Sequence, residues 1–190
     1  MRREKILLVT GFGRFPGAPF NPTERIVAAL CGAFARRLAR LGWRLERRIL
    51  PVAWEALPGA LARLEAELAP DAALHLGLAA RRRKITVETR AHNRRRPLSP
   101  DATGRRAGSI WIERGAPFTR EARGDVARMV VAMKAVAPTA PSRDAGAYLC
   151  NLALWASLGA GPPERPVVFV HVPKATPSRP ARRGGRPVFD

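Results

Sequence analysis

Along the chain, short continuous apolar runs alternate with longer segments whose apolar positions recur every three or four residues. Lys5–Thr10 is the first run, ended by Gly11, and reads as a buried strand. After a glycine- and proline-rich loop, Asn21-Pro22-Thr23-Glu24 offers an N-cap, a proline for the first helical position and an early acid. Ile26, Leu30, Phe34 and Leu38 then recur at i+4, which predicts one buried helix face, with Arg36, Arg37 and Arg40 on the wet side. Arg44–Val52 and Ala72–Leu76 read as strands, and Trp54–Leu68 as a helix with Leu57, Leu61, Leu64 and Leu68 aligned. Lys84–Thr89 reads as extended, Glu121–Val136 as a helix, and Leu149–Leu158 as a short apolar helix stopped by Gly159 and Gly161. Val167–Val172 closes the series as an almost wholly apolar strand, the pattern of a sheet covered on both faces. Strands alternating with helices predict an α/β fold, a three-layer sandwich with a largely parallel twisted sheet and helices on both faces.

Composition sharpens this outline. At 46% hydrophobic residues, the 190-residue chain has enough apolar material for a core, most simply a single domain over residues 1–173. From Lys174 to Asp190 the apolar content collapses into proline, arginine and glycine, and this tail reads as disordered. The formal charge is +19, and only Lys5, Lys84, Lys134 and Lys174 are lysines. Such a charge makes nucleic acid a partner to consider. However, no helix-turn-helix, zinc or RNA-binding signature accompanies it, and aromatics for base stacking are sparse. An arginine-biased composition is the simpler account, so no specific nucleic-acid partner is expected.

The apolar run Ile6–Val9 is too short for a signal peptide. The longest uncharged stretch, Ala145–Pro163, is interrupted by Gly146, Gly159 and Gly161 and carries Asn151, so no membrane span is predicted. The two cysteines, Cys31 and Cys150, lie far apart and suit the reducing cytoplasm. With only His75, His92 and His171 at unsuitable spacings, no metal and no cofactor is expected.

Candidate chemistry lies at the ends of the predicted strands. Gly11-Phe12-Gly13-Arg14-Phe15-Pro16-Gly17 is spaced wrongly for a dinucleotide fingerprint, but glycine-flanked phenylalanines beyond a strand end suit an apolar ligand pocket. A lone cysteine in an apolar helix is by default a small buried hydrophobe, and Cys31 fits that description. Cys150 instead follows a glycine-containing turn at the start of its helix, where amide groups and the macrodipole favour a thiolate. His171 ends the last strand, where sites in α/β sheets assemble, whereas His75 lies inside a strand and reads as a core residue. Glu88 follows the basic run Arg81-Arg82-Arg83-Lys84. A glutamate there is usually a solvated ion-pair partner, but it can also orient an imidazole.

Taken together, four segments resemble the pyroglutamyl peptidase I (pyrrolidone-carboxylate peptidase) family of cysteine peptidases. They are Val9–Phe15 with Asn21-Pro22-Thr23, Gly77…Ile85-Thr86-Val87-Glu88…Ala91-His92-Asn93, Ser142–Asn151, and Phe169–Pro173. The resemblance implies Cys150 as nucleophile, His171 as base and Glu88 as the residue orienting the imidazole. The implied reaction removes N-terminal pyroglutamate from peptides through a thioester. By the same similarity Phe12 and Phe15 flank the pyroglutamyl ring, with Tyr148 and Leu149 nearby. A homo-oligomer is a possible assembly. In three places the chain departs from the family pattern. Thr89 and Arg90 follow the glutamate where a basic then an apolar residue is usual. Pro97-Leu98-Ser99-Pro100-Asp101 puts Leu98 where the family has an arginine near the oxyanion, with Arg96 the candidate to reach the same place. The tail does not resemble the family's C-terminal helix. These departures motivate an alternative, a binding protein of the same fold with reduced or lost activity; non-specific nucleic-acid association is another.

Overall fold

The N-terminal apolar run becomes β1 (Lys5–Phe12), the hub on which half of the sheet is built. In the computed structural model, which describes residues 3–15 and 18–174, the elements that follow are α1 (Pro22–Ala29), α2 (Ala33–Arg40), β2 (Trp43–Leu50), α3 (Ala56–Leu68) and β3 (Ala72–Leu78). After them come β4 (Ile85–Glu88), β5 (Arg90–His92), β6 (Thr119–Glu121), α4 (Val126–Lys134), β7 (Thr139–Ser142), α5 (Leu149–Gly159) and β8 (Val167–Val172). The main sheet has six strands in the order β2-β1-β3-β8-β4-β7. Neighbours run parallel except at β8–β4, which is antiparallel, and β5 and β6 form a separate antiparallel ribbon. No helix among the described residues is long and apolar enough to cross a membrane.

Side-chain alternation sorts the strands onto two cores. Leu8, Phe12, Ala73, Val167 and Phe169 pack with Leu57, Leu61 and Leu64 of α3 and with the nearly all-buried α5. Val9, Leu76, Val87, Val168 and Val170 pack on the opposite face with Val27 of α1 and Val130 of α4. This is the predicted three-layer sandwich. Where β1 meets α1 the backbones touch: a Cβ on Gly11 would stand 2.8 Å from the Thr23 carbonyl oxygen. Asn21 caps α1 by accepting from the Thr23 amide at 3.1 Å, and the Thr23 hydroxyl accepts from the Phe12 amide at 3.0 Å. The Asn-Pro-Thr segment thus pins the loop carrying Phe12 and Phe15.

Several elements differ from their sequence pattern. The helix after Pro22 is two short helices, broken at Leu30–Gly32, with Gly32 at φ 53°. The i+4 face therefore does not form. Ile26 and Phe34 are exposed, and Cys31, expected in the core, is exposed in the break. The expected helix Glu121–Val136 begins only at Val126, because Gly124 turns the chain and the Asp125 carboxylate caps the helix through the Arg128 amide at 2.9 Å. Residues 119–121 pair as a strand instead, and Thr139–Ser142 forms an edge strand that its Pro141 disguised. The Pro/Arg-rich tail beyond Lys174, like Pro16 and Gly17 of the glycine loop, lies outside the described residues.

Candidate functional site

The site grows from the register of three adjacent strands. On β8, Phe169 and His171 point to the α3/α5 face. On β3, the residues opposite them are His75 and Gly77. On β4, Glu88 and Thr86 stand opposite the same pair from the other side. His171 and Glu88 are buried, at 4% and 0% exposure, and the ring Nδ1 lies 2.8 Å from Glu88 Oε1. That oxygen also accepts from Arg82 Nη1 at 2.5 Å and from the Thr86 hydroxyl at 3.3 Å. The second guanidinium nitrogen of Arg82 donates to the Asp144 carbonyl at 2.6 Å, tying the glutamate to the loop that leads into α5.

Cys150 is the second residue of α5, and Tyr148 is its N-cap. The helix docks so closely on β3 that a Cβ at Gly77 would stand 2.8 Å from the Cys150 sulfur and 2.7 Å from the Phe169 ring. Only glycine leaves space for the sulfur beside His171. At the far end of α5, Arg123 and Arg165 both donate to the Ser157 and Ala160 carbonyls, satisfying groups the helix leaves free. The positive end of the macrodipole falls at Cys150.

Electrostatics follow from this packing. Burial opposes charging the His171 ring, but its interactions with Cys150 and with the Glu88 carboxylate outweigh it and raise the pKa to about 9. Burial likewise opposes ionisation of Glu88, yet the hydrogen bonds it receives from His171 and Arg82 hold its carboxyl below the usual range. The pair is therefore an imidazolium against a carboxylate at neutral pH. His75 is the contrast. Fully buried, with Nδ1 2.7 Å from the Thr10 hydroxyl, it is pushed down to about 4 by burial, helped by the Arg165 charge, and stays neutral. It is the core histidine its mid-strand position predicts.

Two cavities meet at Cys150. The smaller is lined by Phe12, Phe15, Val52, Tyr148 and Leu149, with Asn21 its main polar neighbour. It brings together the four residues expected to flank a ring. Tyr148 is braced by Trp54, edge-on at 5.1 Å, and by its hydroxyl donating to the Pro100 carbonyl at 2.9 Å. The larger cavity, about 300 Å³, is lined by His171, Cys150, Arg81, Arg82 and Arg96 among others. Leu98 lines neither and is 80% exposed, whereas Arg96 reaches the cavity. Among the described residues no cluster of His, Cys, Asp or Glu side chains is placed to hold a metal ion.

Residues to which the sequence assigned no role of their own prove to hold the site. Arg82 looked like one member of a basic run. Asn151 is fully buried next to Cys150; its carbonyl accepts from the His92 amide and its NH₂ donates to the His92 and Arg94 carbonyls. Asp101 accepts from the amides of Trp54, Thr103 and Arg105, closing the loop under Tyr148.

The pyroglutamyl peptidase family model matches residues 5–185. This chain belongs to the pyroglutamyl peptidase family. Its relatives include the pyrrolidone-carboxylate peptidase of Pyrococcus furiosus, 33% identical over 88% of this chain and 80% of that protein. The Deinococcus radiodurans pyrrolidone-carboxylate peptidase is also 33% identical, over 88% of this chain and 77% of its own. Among solved structures, the pyrrolidone carboxyl peptidase of Thermus thermophilus superposes with a TM-score of 0.78 at 38% identity, covering 88% of this chain and 84% of that one. The family match runs beyond Pro173, into the segment whose composition reads as a tail.

Proposed function

We propose that this protein is a cysteine exopeptidase that removes an N-terminal pyroglutamyl residue from peptides, with Cys150 as nucleophile, His171 as acid and base, and Glu88 orienting the imidazole. The Cys150 thiolate attacks the carbonyl carbon that joins pyroglutamate to the next residue. The free first-turn amides of α5, the helix that carries Cys150, would serve as donors for the developing oxyanion. His171, protonated at neutral pH, gives its proton to the departing amine, and a thioester remains. The now neutral imidazole takes a proton from water, the hydroxide attacks the thioester, and free pyroglutamate leaves as the thiolate and imidazolium re-form.

One observation carries this reading: the small cavity beside Cys150 is apolar and has no carboxylate among its described lining. An aminopeptidase pocket must neutralise a charged α-amine, whereas a lactam is neutral and suits Phe12, Phe15, Tyr148 and Leu149. Two free cysteines fit work in the cytoplasm. The test is fluorophore release from a pyroglutamyl conjugate, expected from the wild type and absent in Cys150→Ala. No turnover by the pure wild-type protein would overturn the proposal.

A further inference from the structure

The two cavities that share Cys150 are chemically unlike, and the position of His171 says which half of the substrate each receives. Resting on the peptidase reading above, the proton donor to the leaving amine must stand on the leaving-group side. His171 lines the larger cavity and is absent from the lining of the apolar one. The larger cavity therefore takes the residue that follows pyroglutamate. Its wall carries Arg81, Arg82 and Arg96, and no acidic side chain is among its described lining. Arg82 is committed to Glu88 and the Asp144 carbonyl. Arg81 and Arg96 are exposed to solvent at the rim, and neither side chain has an acidic partner among the described residues. Asp144, the nearest acid in sequence to the nucleophile, is itself held by Arg94 at 2.8 Å.

We infer that Arg81 and Arg96 make this a carboxylate-selective leaving-group site: the enzyme prefers pyroglutamyl substrates with a carboxylate on the residue directly after the scissile bond. That carboxylate has two sources, an acidic side chain or the free α-carboxylate of a pyroglutamyl dipeptide. The guanidinium forks suit either, because a planar pair of donors matches a planar pair of acceptor oxygens. A single unscreened charge pair near 4 Å in water corresponds to roughly fivefold in affinity, and partial enclosure raises this towards tenfold. Screening at 0.15 M salt, with a Debye length of about 8 Å, erodes the preference at the exposed rim.

Four substrates separate the outcomes: pyroglutamyl-alanine amide, pyroglutamyl-glutamate amide, free pyroglutamyl-alanine and pyroglutamyl-lysine amide, with kcat/KM read from released pyroglutamate at low salt. The glutamate amide is expected to exceed the alanine amide about five- to tenfold, and the lysine amide to fall below it. If the free dipeptide also exceeds its amide, the α-carboxylate is accepted as well; if only the glutamate amide does, the side chain is the source. In Arg81→Gln/Arg96→Gln the glutamate-to-alanine ratio should approach one, and it should shrink in the wild type as salt rises. Equal rates for alanine, glutamate and lysine amides in the wild type overturn the inference without touching the peptidase reading. So does a ratio that survives in the double variant. Cleavage of none of the four refutes the peptidase reading instead.

Discussion

Replacing Gly77 by alanine tests whether the packing of α5 on β3 sets the chemistry. The added methyl would stand 2.7 Å from two carbons of the Phe169 ring and 2.8 Å from the Cys150 sulfur. Ordinary contact begins near 3.5 Å, so ring or sulfur must retreat by about 0.7–0.8 Å. Phe169 is fully buried between α5 and the sheet and has nowhere to go. Cys150 is partly exposed at a helix end, so most of the displacement falls on its sulfur, the proposed nucleophile. Misplacing a reacting atom by about 1 Å can cost 10²-fold, and that is the expected fall in kcat. Overpacking of this size costs about 1–3 kcal/mol, which for a chain of this length lowers the melting temperature by roughly 2–10 °C. Fluorogenic turnover and thermal unfolding by circular dichroism read the two effects separately. A Gly77→Ala protein with activity within twofold of wild type would show that the sulfur's position beside His171 does not depend on this contact.

Three further outcomes follow from the same geometry. Because His171 is raised to about 9, the imidazolium persists through neutrality, and kcat/KM should fall as pH rises through about 9. Removing the facing charge in Glu88→Gln should move that alkaline limb down by about 1 unit or more, and superimposable profiles would refute the coupling. The linked stability has the same sign: the contribution from the raised His171 pKa is full below about 6.5, the ordinary histidine value, and is lost between there and about 9. Arg165 is 3% exposed, contacts both Glu65 carboxylate oxygens and donates to the last carbonyls of α5. Arg165→Met should cost about 3 kcal/mol in denaturant unfolding, and a loss under about 1 kcal/mol would sink that account. Asn151→Ala strands three partly buried backbone groups of residues 92 and 94 and leaves a hole at a fully buried side chain, with an expected loss of about 2 kcal/mol and a parallel drop in kcat; unchanged unfolding would contradict it.

The failures of the sequence pattern share a cause. Ile26, Leu30, Phe34 and Leu38 have helical spacing, yet Gly32 takes a positive φ and the second helix packs chiefly against edge strand β2, so the stripe finds no full partner. Val126, Val130 and Met133 do face the core, but a periodicity that began at Glu121 overlooked Gly124 and the Asp125 cap. Thr139–Ser142 has little strand character of its own. It is held because β4 offers a free edge.

By itself the sequence determined the alternation of strands and helices, the apolar faces of α3 and α5, and the residue types at the chemical positions: a cysteine at a helix start, a histidine at a strand end, a glutamate after a basic run. Those are local properties, written in spacing and in caps. Only the tertiary structure decided which of them act together. His75 and His171 both lie in apolar strands on one face of the sheet, but register closes the first against Thr10 and opens the second to Glu88 and Cys150. Register also turns Gly77 into the seat of the sulfur, Arg82 into a clasp on the glutamate, and Arg81 and Arg96 into the wall of one cavity. Contacts between residues tens of positions apart are set by strand order and by the parity of each strand, and no local pattern carries either.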